Sequence, residues 1–411
     1  MSRKASGFRC RKARLKSGEV LLKKRWLIIF AVALAAVLAF AWLGRREPPE
    51  PVYQGKTVMA WARDMNNPDL NARSNAIVAL RNIGMKGIPS LVRNLERPDS
   101  ILKKPWSSLT PKLPLWVRRS ALRALKPFDP PIDRLAAVNG LIALGTNAPV
   151  RPLIQALRDP EGVVANQAAA ALGGLGAPAT PGLIRALSDN DSNVRARACY
   201  ALFAMGPAAS NAIPALIQRL TDTSPNIPPL AAQALGKIYV PAIAALAQAL
   251  RNPDARVRAE AARALTRIGP QAREAAPALI EATKDPQGTV RACSVEALSV
   301  VRPFSPTTVA ALVAVLKDEN LDVRVQALAG LARADRFAAT SVPALIEALD
   351  DKSPLVRGGA ALVLGTLGPA AQPAIKALRK GLADGDESVR VQAQEALRKI
   401  ESPAVPPPRG P

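Results

Sequence analysis

The chain has 411 residues, a formal net charge of +24 and no histidine at any position. The absence of His excludes Ser-His-Asp and Cys-His catalysis, and it excludes zinc sites that need His ligands. Aromatic residues make up only 4% of the chain, which is typical of thin Ala- and Leu-rich helix pairs and argues against a large ligand pocket.

The three cysteines, Cys10, Cys199 and Cys293, do not form a redox or metal-binding set. Cys10 belongs to the basic N-terminal stretch. The other two lie three repeat periods apart, at about 10 Å for each period, which is too far for a disulfide. We therefore expect small core or surface side chains here, and no metal or cofactor ligands.

The first 44 residues have the composition of a membrane anchor. Residues 1–25 contain ten Lys or Arg and one Glu, whereas residues 26–44 carry no charge. The apolar run Trp26–Leu43 would form a helix of about 27 Å, which is enough to cross the hydrocarbon core of a bilayer.

The basic residues around this run predict its orientation. Ten precede it and two, Arg45 and Arg46, follow closely, so the positive-inside rule places residues 1–25 in the cytoplasm as a basic tail. We expect residues 26–44 to be a signal-anchor in the inner cell membrane, with the rest of this single-pass protein extracytoplasmic. Two alternatives stay open: a signal peptide cleaved after Ala39-Phe40-Ala41, and a buried helix.

Residues 45–55 contain the run EPPEP and predict a stiff linker, because Pro favours extended backbone. Residues 56–131 predict degenerate helical units. Helical spacing of apolar residues indicates a first helix at Val58–Met65 and a second at Asn71–Gly84, and Ile88–Leu95 opens a further unit.

Residues 97–131 contain several prolines and interrupt the repeat. Within them, Leu115–Lys126 predicts an amphipathic helix with an apolar face and a face of Arg and Lys. Trp106 and Trp116 are close in sequence, so this helix is a candidate for contact with anionic lipid headgroups. The alternative is an ordinary repeat helix with a solvated basic face.

From residue 132 to residue 401 the chain repeats one pattern, before a Pro-rich tail at 402–411 that we expect to be disordered. Each copy has a branched apolar anchor, a small residue at +4 and Leu at +8, which form one stripe at helical spacing. The anchors, 30 or 33 residues apart, are Val164, Val194, Ile227, Val257, Val290, Val323, Val356 and Val389. A shorter apolar helix precedes each anchor, so the period predicts an all-α superhelix of helix–turn–helix units.

The pattern D-x-x-x-x-V-R-x-x-A-x-x-x-L-x-x-[IL]-G resembles HEAT repeats, and in particular the short HEAT-like repeats of phycobilisome lyases. The resemblance covers residues 133–400 and implies an armadillo-like α-α superhelix, a solenoid. The segment Tyr53-Gln-Gly55-Lys56, followed by Trp61, is similar to a segment of membrane-anchored bacterial HEAT proteins.

Two charged columns accompany the stripe: Asp five residues before the anchor and Arg one residue after it. A row of Arg could bind phosphates or nucleic acid. Because each Arg recurs with an acid, we expect a structural role, in which Arg joins the inter-helix turns of neighbouring repeats through carboxylates and backbone carbonyls. The pairs are Asp189/Arg195, Asp285/Arg291, Asp318/Arg324, Asp351/Arg357 and Asp384/Arg390.

Partner choice is expected in the variable columns at +3, +6 and +10 of each second helix, which HEAT arrays usually turn toward their concave side. These columns are polar and carry both signs, with a basic cluster in the middle repeats. The candidate partner-binding residues are Arg197, Tyr200, Lys237, Arg263 and Arg267. The alternative is a solvated face.

No phosphate-binding glycine loop, metal-ligand spacing or pair of carboxylates stands out from the repeats. The sequence therefore predicts a membrane-anchored scaffold that binds protein partners through the concave face of the solenoid, without catalysis or a cofactor. Two alternatives stay open: a chromophore lyase like those of phycobilisomes, and a HEAT-like nucleic-acid-binding protein. The membrane span argues against the first, and the shortage of aromatic residues in the variable columns, where only Tyr200 is evident, argues against the second.

Overall fold

Pairs of short helices, stacked one on the next, make up the described part of the chain. The computed structural model describes residues 49–97 and 130–401. The predicted cytoplasmic tail, membrane helix, lipid-contact helix and C-terminal tail lie outside these residues.

Ten helix pairs follow one another in the described residues, with an odd-numbered first helix and an even-numbered second helix in each pair. Their bounds are α1 Val58–Asp64, α2 Leu70–Ile83, α3 Ile88–Leu95, α4 Pro130–Ala143, α5 Val150–Ala156, α6 Gly162–Leu175, α7 Thr180–Ala186, α8 Ser192–Met205, α9 Ile213–Arg219, α10 Ile227–Ile238, α11 Ile243–Ala249, α12 Ala255–Ile268, α13 Ala276–Ala282, α14 Gly288–Val300, α15 Pro306–Ala314, α16 Leu321–Ala332, α17 Val342–Ala348, α18 Pro354–Leu367, α19 Ile375–Gly381 and α20 Glu387–Glu401.

The irregular stretch after α3 lies inside one helix pair. Helix α3 packs against α4, although residues 98–129 separate them in sequence. The Arg134 guanidinium of α4 also donates a hydrogen bond of 3.3 Å to the carbonyl oxygen of Arg97, just beyond α3. The unit that the sequence opens at Ile88–Leu95 is therefore completed by α4.

The array begins with a small β-hairpin that the sequence analysis missed. Strands β1 (Val52–Tyr53) and β2 (Lys56–Thr57) pair antiparallel, and both turn residues between them have positive φ, as in the tightest hairpin turns. The indole Nε1 of Trp61 donates to the carbonyl oxygen of Tyr53 at 3.0 Å. Part of the predicted linker 45–55 thus belongs to the folded unit, and Trp61, 7% exposed, covers the first end of the core.

The predicted apolar stripe forms the core. Leu at +8 is completely buried in most repeats, as at Leu172, Leu265 and Leu364, and the small residue at +4 is completely buried throughout, as at Ala261 and Ser294. These columns belong to one continuous cluster that runs through the array. The prediction of an all-helical solenoid built on this stripe is confirmed.

The second helices form the closely packed side of the array. From α4 onward, each second helix packs extensively against the next second helix, whereas consecutive first helices have much less contact. In a curved row of helices, neighbouring helices lie closer together on the concave side than on the convex side. The even-numbered helices therefore line the concave side, called here the inner face.

One part of the array has the length and composition of a membrane span, namely Ser192–Arg219. It consists of α8, the connector Gly206–Ala212 and α9, and the chain turns at Gly206, where φ is +58°. Leu202 and Leu216 are completely buried in the common core. The segment is therefore used as two helices of the solenoid.

The length of a 3₁₀ connector explains the two repeat periods. Seven-residue connectors such as Gly206–Ala212 and Gly269–Ala275 belong to 33-residue repeats, whereas Ala177–Ala179 and Val240–Ala242 belong to the two 30-residue repeats. Five of the ten second helices end at a Gly with positive φ, the backbone region that Gly adopts without strain. After α10 this place is taken by Tyr239, whose φ is +74°.

Replacing Leu265 by Ala is expected to lower the free energy of unfolding by about 2–5 kcal/mol, because truncating a fully buried Leu leaves a cavity. Leu355→Ala is the matched control: Leu355 is 66% exposed, so the change should stay within about 0.5 kcal/mol. Urea unfolding of the full chain in detergent, followed by circular dichroism, measures both. Equal destabilisation by the two substitutions would contradict the assignment of the Leu column to the core.

Candidate functional site

Each Arg of the charged column joins two consecutive inter-helix turns. In the case of Arg291, Nε donates to Asp318 Oδ2 at 2.7 Å and Nη2 donates to Asp318 Oδ1 at 2.8 Å. Its Nη1 donates to the backbone carbonyl of Asp285 at 3.0 Å. The guanidinium thus binds a carboxylate in the following turn and a carbonyl in its own turn.

This arrangement recurs along the array and corrects the pairing read from the sequence. The residue in the turn before each Arg, in most repeats an Asp, contributes its carbonyl oxygen, and the carboxylate comes from the next repeat. The carboxylate pairs are Arg134–Asp159, Arg195–Asp222, Arg258–Asp285, Arg291–Asp318, Arg324–Asp351 and Arg357–Asp384. Arg390, in the last helix pair, donates to the carbonyls of Asp384 and Gly385.

These pairs are called here the Arg–Asp ladder, and at Asp222, Asp285, Asp318 and Asp384 the ladder lowers the pKa of the carboxyl and favours its ionised form. Burial raises the pKa of the Asp318 carboxyl, but hydrogen bonds from Arg291 and from the Asn320 backbone outweigh burial and hold the pKa below its ordinary value of 3.8. The hydrogen bond to Asp318 in turn raises the pKa of Arg291. The stabilisation from this carboxylate is therefore complete above pH 3.8 and is lost as the pH falls further.

Two of the repeats lack the Arg, and each avoids an isolated charge in a different way. Where Ala165 replaces Arg, the carboxylate of Asp189 remains and accepts a hydrogen bond of 2.9 Å from Arg158. Where Pro228 replaces Arg, the following turn has Asn252 in place of Asp. An unpaired buried carboxylate would be strongly destabilising, so the simultaneous loss of both charges leaves this interface neutral.

Two of the five candidate partner-binding residues already have intramolecular contacts. Arg197 donates to Asn166 Oδ1 at 3.1 Å and to the carbonyl oxygen of Leu157 at 2.8 Å. Arg263 donates to Glu260 Oε1 at 2.5 Å. Glu260 is 7% exposed, and its Oε2 has no hydrogen-bond partner in the described residues. Arg263 is therefore needed to compensate a buried charge.

The other three candidate residues are exposed and lack such hydrogen bonds in the described residues. Tyr200 is 51% exposed on α8. Lys237 and Arg267, on the neighbouring second helices α10 and α12, line one open groove of about 380 Å³. The structure thus brings together two members of the predicted basic cluster, and it places Arg197 and Arg263 outside that groove.

The groove also contains residues that the sequence analysis did not select. Its principal lining side chains are Phe203, Gln233, Lys237, Tyr239 and Arg267, and these residues define what we call the aromatic–basic groove. Phe203 lies at +9, between the variable columns at +6 and +10, and Tyr239 follows the end of α10. The signal for Tyr239 was present in the sequence, because five of the ten second helices have Gly at the equivalent position.

The two cysteines in the described residues, Cys199 and Cys293, show no features of a reactive site. Burial raises the pKa of the Cys199 thiol to about 12 and also raises the pKa of Cys293, so both thiols are protonated at neutral pH and are poor nucleophiles. No group of three or more Cys, Asp or Glu side chains with the arrangement of a metal site occurs in residues 49–97 and 130–401.

Comparison with known proteins agrees with the repeat architecture. A family model described as HEAT repeats matches residues 148–218, 213–299 and 309–398. No curated protein matches the chain.

Solved structures with similar folds include an engineered protein and the karyopherin Kap121p. The engineered protein is 22% identical over 84% of this chain and 99% of its own, with a TM-score of 0.39. A mutant of Kap121p is 13% identical over 84% of this chain and 49% of its own, with a TM-score of 0.52. Kap121p bound to the extreme C-terminus of the protein phosphatase Cdc14p is 15% identical over 84% and 50%, with a TM-score of 0.44. The chain spans about half the length of Kap121p, and the likeness extends to the fold alone.

The Arg–Asp ladder can be tested at Arg291. We expect Arg291→Ala to lower the free energy of unfolding by about 3–5 kcal/mol, because Asp318 stays buried without its cation. The double variant Arg291→Ala/Asp318→Ala should cost less than the sum of the two single changes. The control Arg256→Ala removes an exposed ion pair with Asp254 and should cost under about 1 kcal/mol. If the loss of unfolding free energy in the double variant equals the sum of the losses in the two single variants, as measured by urea unfolding, the two side chains do not act as a pair.

Proposed function

The chain belongs to the HEAT-repeat family, and from this premise we propose that it is a membrane-anchored scaffold that binds protein partners on its inner face. The observation that carries this proposal is the aromatic–basic groove. It lies on the second helices and is lined by exposed aromatic and basic side chains. Exposed aromatic and Arg side chains of this kind are typical of binding hot spots between proteins.

The repeat has columns with structural roles and columns that are free to vary, and this separation supports the same function. The Leu and small-residue columns are committed to packing, and the Arg–Asp ladder is committed to joining turns. Side chains on the inner face outside these columns can change without loss of the fold. Solenoids use extended concave surfaces of this type to hold partners.

The proposed membrane anchor rests on the sequence of residues 1–46. The uncharged run Trp26–Leu43 follows ten basic residues and precedes two, which supports a cytoplasmic N-terminus and an extracytoplasmic array in the inner membrane.

Partner binding on the inner face predicts a one-sided crosslinking pattern. A photo-reactive amino acid at Tyr200, on a second helix, should give discrete protein adducts in native membranes, identified by mass spectrometry. The same amino acid at Gln218, exposed on the first helix α9, is the matched control and should give few. Adducts that form equally at both positions, or at neither, would contradict the proposed function.

The proposed orientation predicts the outcome of a reporter fusion. Alkaline phosphatase joined after Pro411 should be active in a bacterial host, because it folds only outside the cytoplasm, and a cytoplasmically fluorescent reporter at the same place should stay dark. Changing Arg45 and Arg46 to Glu should leave this outcome unaltered, since it increases the charge difference across the span. A fluorescent fusion without phosphatase activity would place the array in the cytoplasm and would contradict the proposed localisation.

A further inference from the structure

We propose that the aromatic–basic groove is a docking site for an extended, acidic segment of a partner protein that carries an aromatic side chain among its carboxylates. This inference rests on the proposed function and specifies which surface binds and what chemistry it binds. It is argued from the shape, the charge and the backbone of the groove.

The groove is formed where α8, α10 and α12 approach each other near their C-terminal ends. Phe203 comes from α8, Lys237 from α10 and Arg267 from α12. Gly236 makes the approach of Arg267 possible, because a Cβ atom at Gly236 would lie 2.8 Å from the Cβ of Arg267. The absence of a side chain at Gly236 thus lets the Arg267 stem pack across α10 and brings its guanidinium to the groove.

The backbone at Tyr239 is strained in a way that keeps an aromatic ring at the edge of the groove. Its φ of +74° is a backbone conformation that favours Gly and costs a residue with a side chain about 1–3 kcal/mol. The Tyr239 hydroxyl donates to Gln271 Oε1 at 3.2 Å, and the side chain remains 38% exposed. Strain of this kind is characteristic of functional positions, because Gly would form the same turn without it.

The charge of the groove selects an anionic ligand. Lys237 Nζ lies 6.0 Å from the centre of the Phe203 ring, and no acidic residue lines the groove. Within the described parts of the chain, neither Lys237 nor Arg267 forms an ion pair. A carboxylate placed between them would therefore gain charge-assisted hydrogen bonds without having to displace an intramolecular partner.

The aromatic residues select an apolar group beside that carboxylate. Phe203 and Tyr239 are each more than one third exposed, and a ring inserted beside them would gain stacking contacts as well as hydrophobic burial. A volume of about 380 Å³ is near the lower end of the range for ligand clefts, about 300–1,000 Å³. It suits one or two side chains of an extended segment and not the surface of a folded domain.

The distribution of charge around the groove favours a peptide over a nucleic acid. Aromatic rings and cations are also the elements of a single-strand binding surface, but a nucleic acid carries a negative charge at every nucleotide. Glu296, on the inner face of α14, would repel a phosphate backbone that continued along the array. A peptide can restrict its carboxylates to the positions that meet Lys237 and Arg267.

The test measures binding of fluorescein-labelled Asp-Asp-Phe-Asp-Asp to the full chain in detergent by fluorescence anisotropy. We expect binding to weaken at high salt and to fall at least about tenfold in the double variant Lys237→Glu/Arg267→Glu. The matched control is Arg251→Glu/Lys376→Glu, which reverses one exposed Arg and one exposed Lys outside the groove and should change affinity less than about twofold. A peptide with Ala in place of Phe should bind at least about fivefold more weakly.

The variant Tyr239→Gly distinguishes a role of Tyr239 in peptide binding from a role in the stability of the fold. Gly relieves the positive φ, so the Tm should stay the same or rise, while peptide affinity falls because the ring is lost. A variant that loses Tm and affinity together would assign Tyr239 a structural role and would count against the proposal.

Three results would overturn the inference: equal peptide affinity of wild type and Lys237→Glu/Arg267→Glu, tighter binding of single-stranded oligo-dT than of the peptide, and absence of peptide binding. If the peptide fails to bind but Tyr200 still gives inner-face adducts and Gln218 does not, the groove assignment is wrong and the proposed function stands. If those adducts are absent as well, the proposed function fails with it.

Discussion

The close approach of consecutive second helices is the constraint on which the rest of the molecule depends. A first helix of seven to nine residues and a second helix of twelve to fifteen cannot bury enough apolar surface by themselves, so each pair depends on its neighbours for a core. The small residue at +4 allows the helices to meet, and Leu at +8 fills the space between them. Because the contacts are between neighbours, one pair can contain the long stretch 98–129 between its helices while α3 and α4 still pack together.

The Arg–Asp ladder fixes the orientation in which consecutive repeats pack. Apolar contacts between Ala and Leu are tolerant of small rotations, whereas a guanidinium that binds a carboxylate in one turn and a carbonyl in the preceding turn fixes the positions of both. Buried ion pairs contribute little net stability compared with apolar packing. We therefore attribute to the ladder the relative orientation of consecutive repeats, and to the Leu column most of the free energy of folding.

Much of the fold could be predicted from the sequence because the repeat shows which positions face the core. The period located the second helices and their buried columns, and Ile88–Leu95 was placed correctly as the opening helix of a unit. The carboxylate partner of each Arg could not be read in the same way. Asp285 and Asp318 occupy equivalent columns around Arg291, and only the stacking geometry shows that the second supplies the carboxylate.

The candidate site was predicted only in part, for a related reason. Residues at +3, +6 and +10 share a helix face but lie at different positions along the helix axis. The predicted cluster therefore separates into two sets: Arg197 and Arg263 outside the groove, and Lys237 and Arg267 inside it. The first two are held by Asn166 and Glu260, contacts between side chains that column composition does not reveal. The hairpin before α1 was missed because two-residue strands have no measurable alternation.

The paired substitution at Pro228 and Asn252 has a mechanical consequence for the whole array. A rod whose segments are tied by stiff cross-links bends first at the joint where a tie is missing, and this joint lies between α10 and α12, two of the helices that form the aromatic–basic groove. A ligand that binds Lys237 and Arg267 together would join α10 to α12 at their C-terminal ends, opposite the turn that lacks the ladder pair.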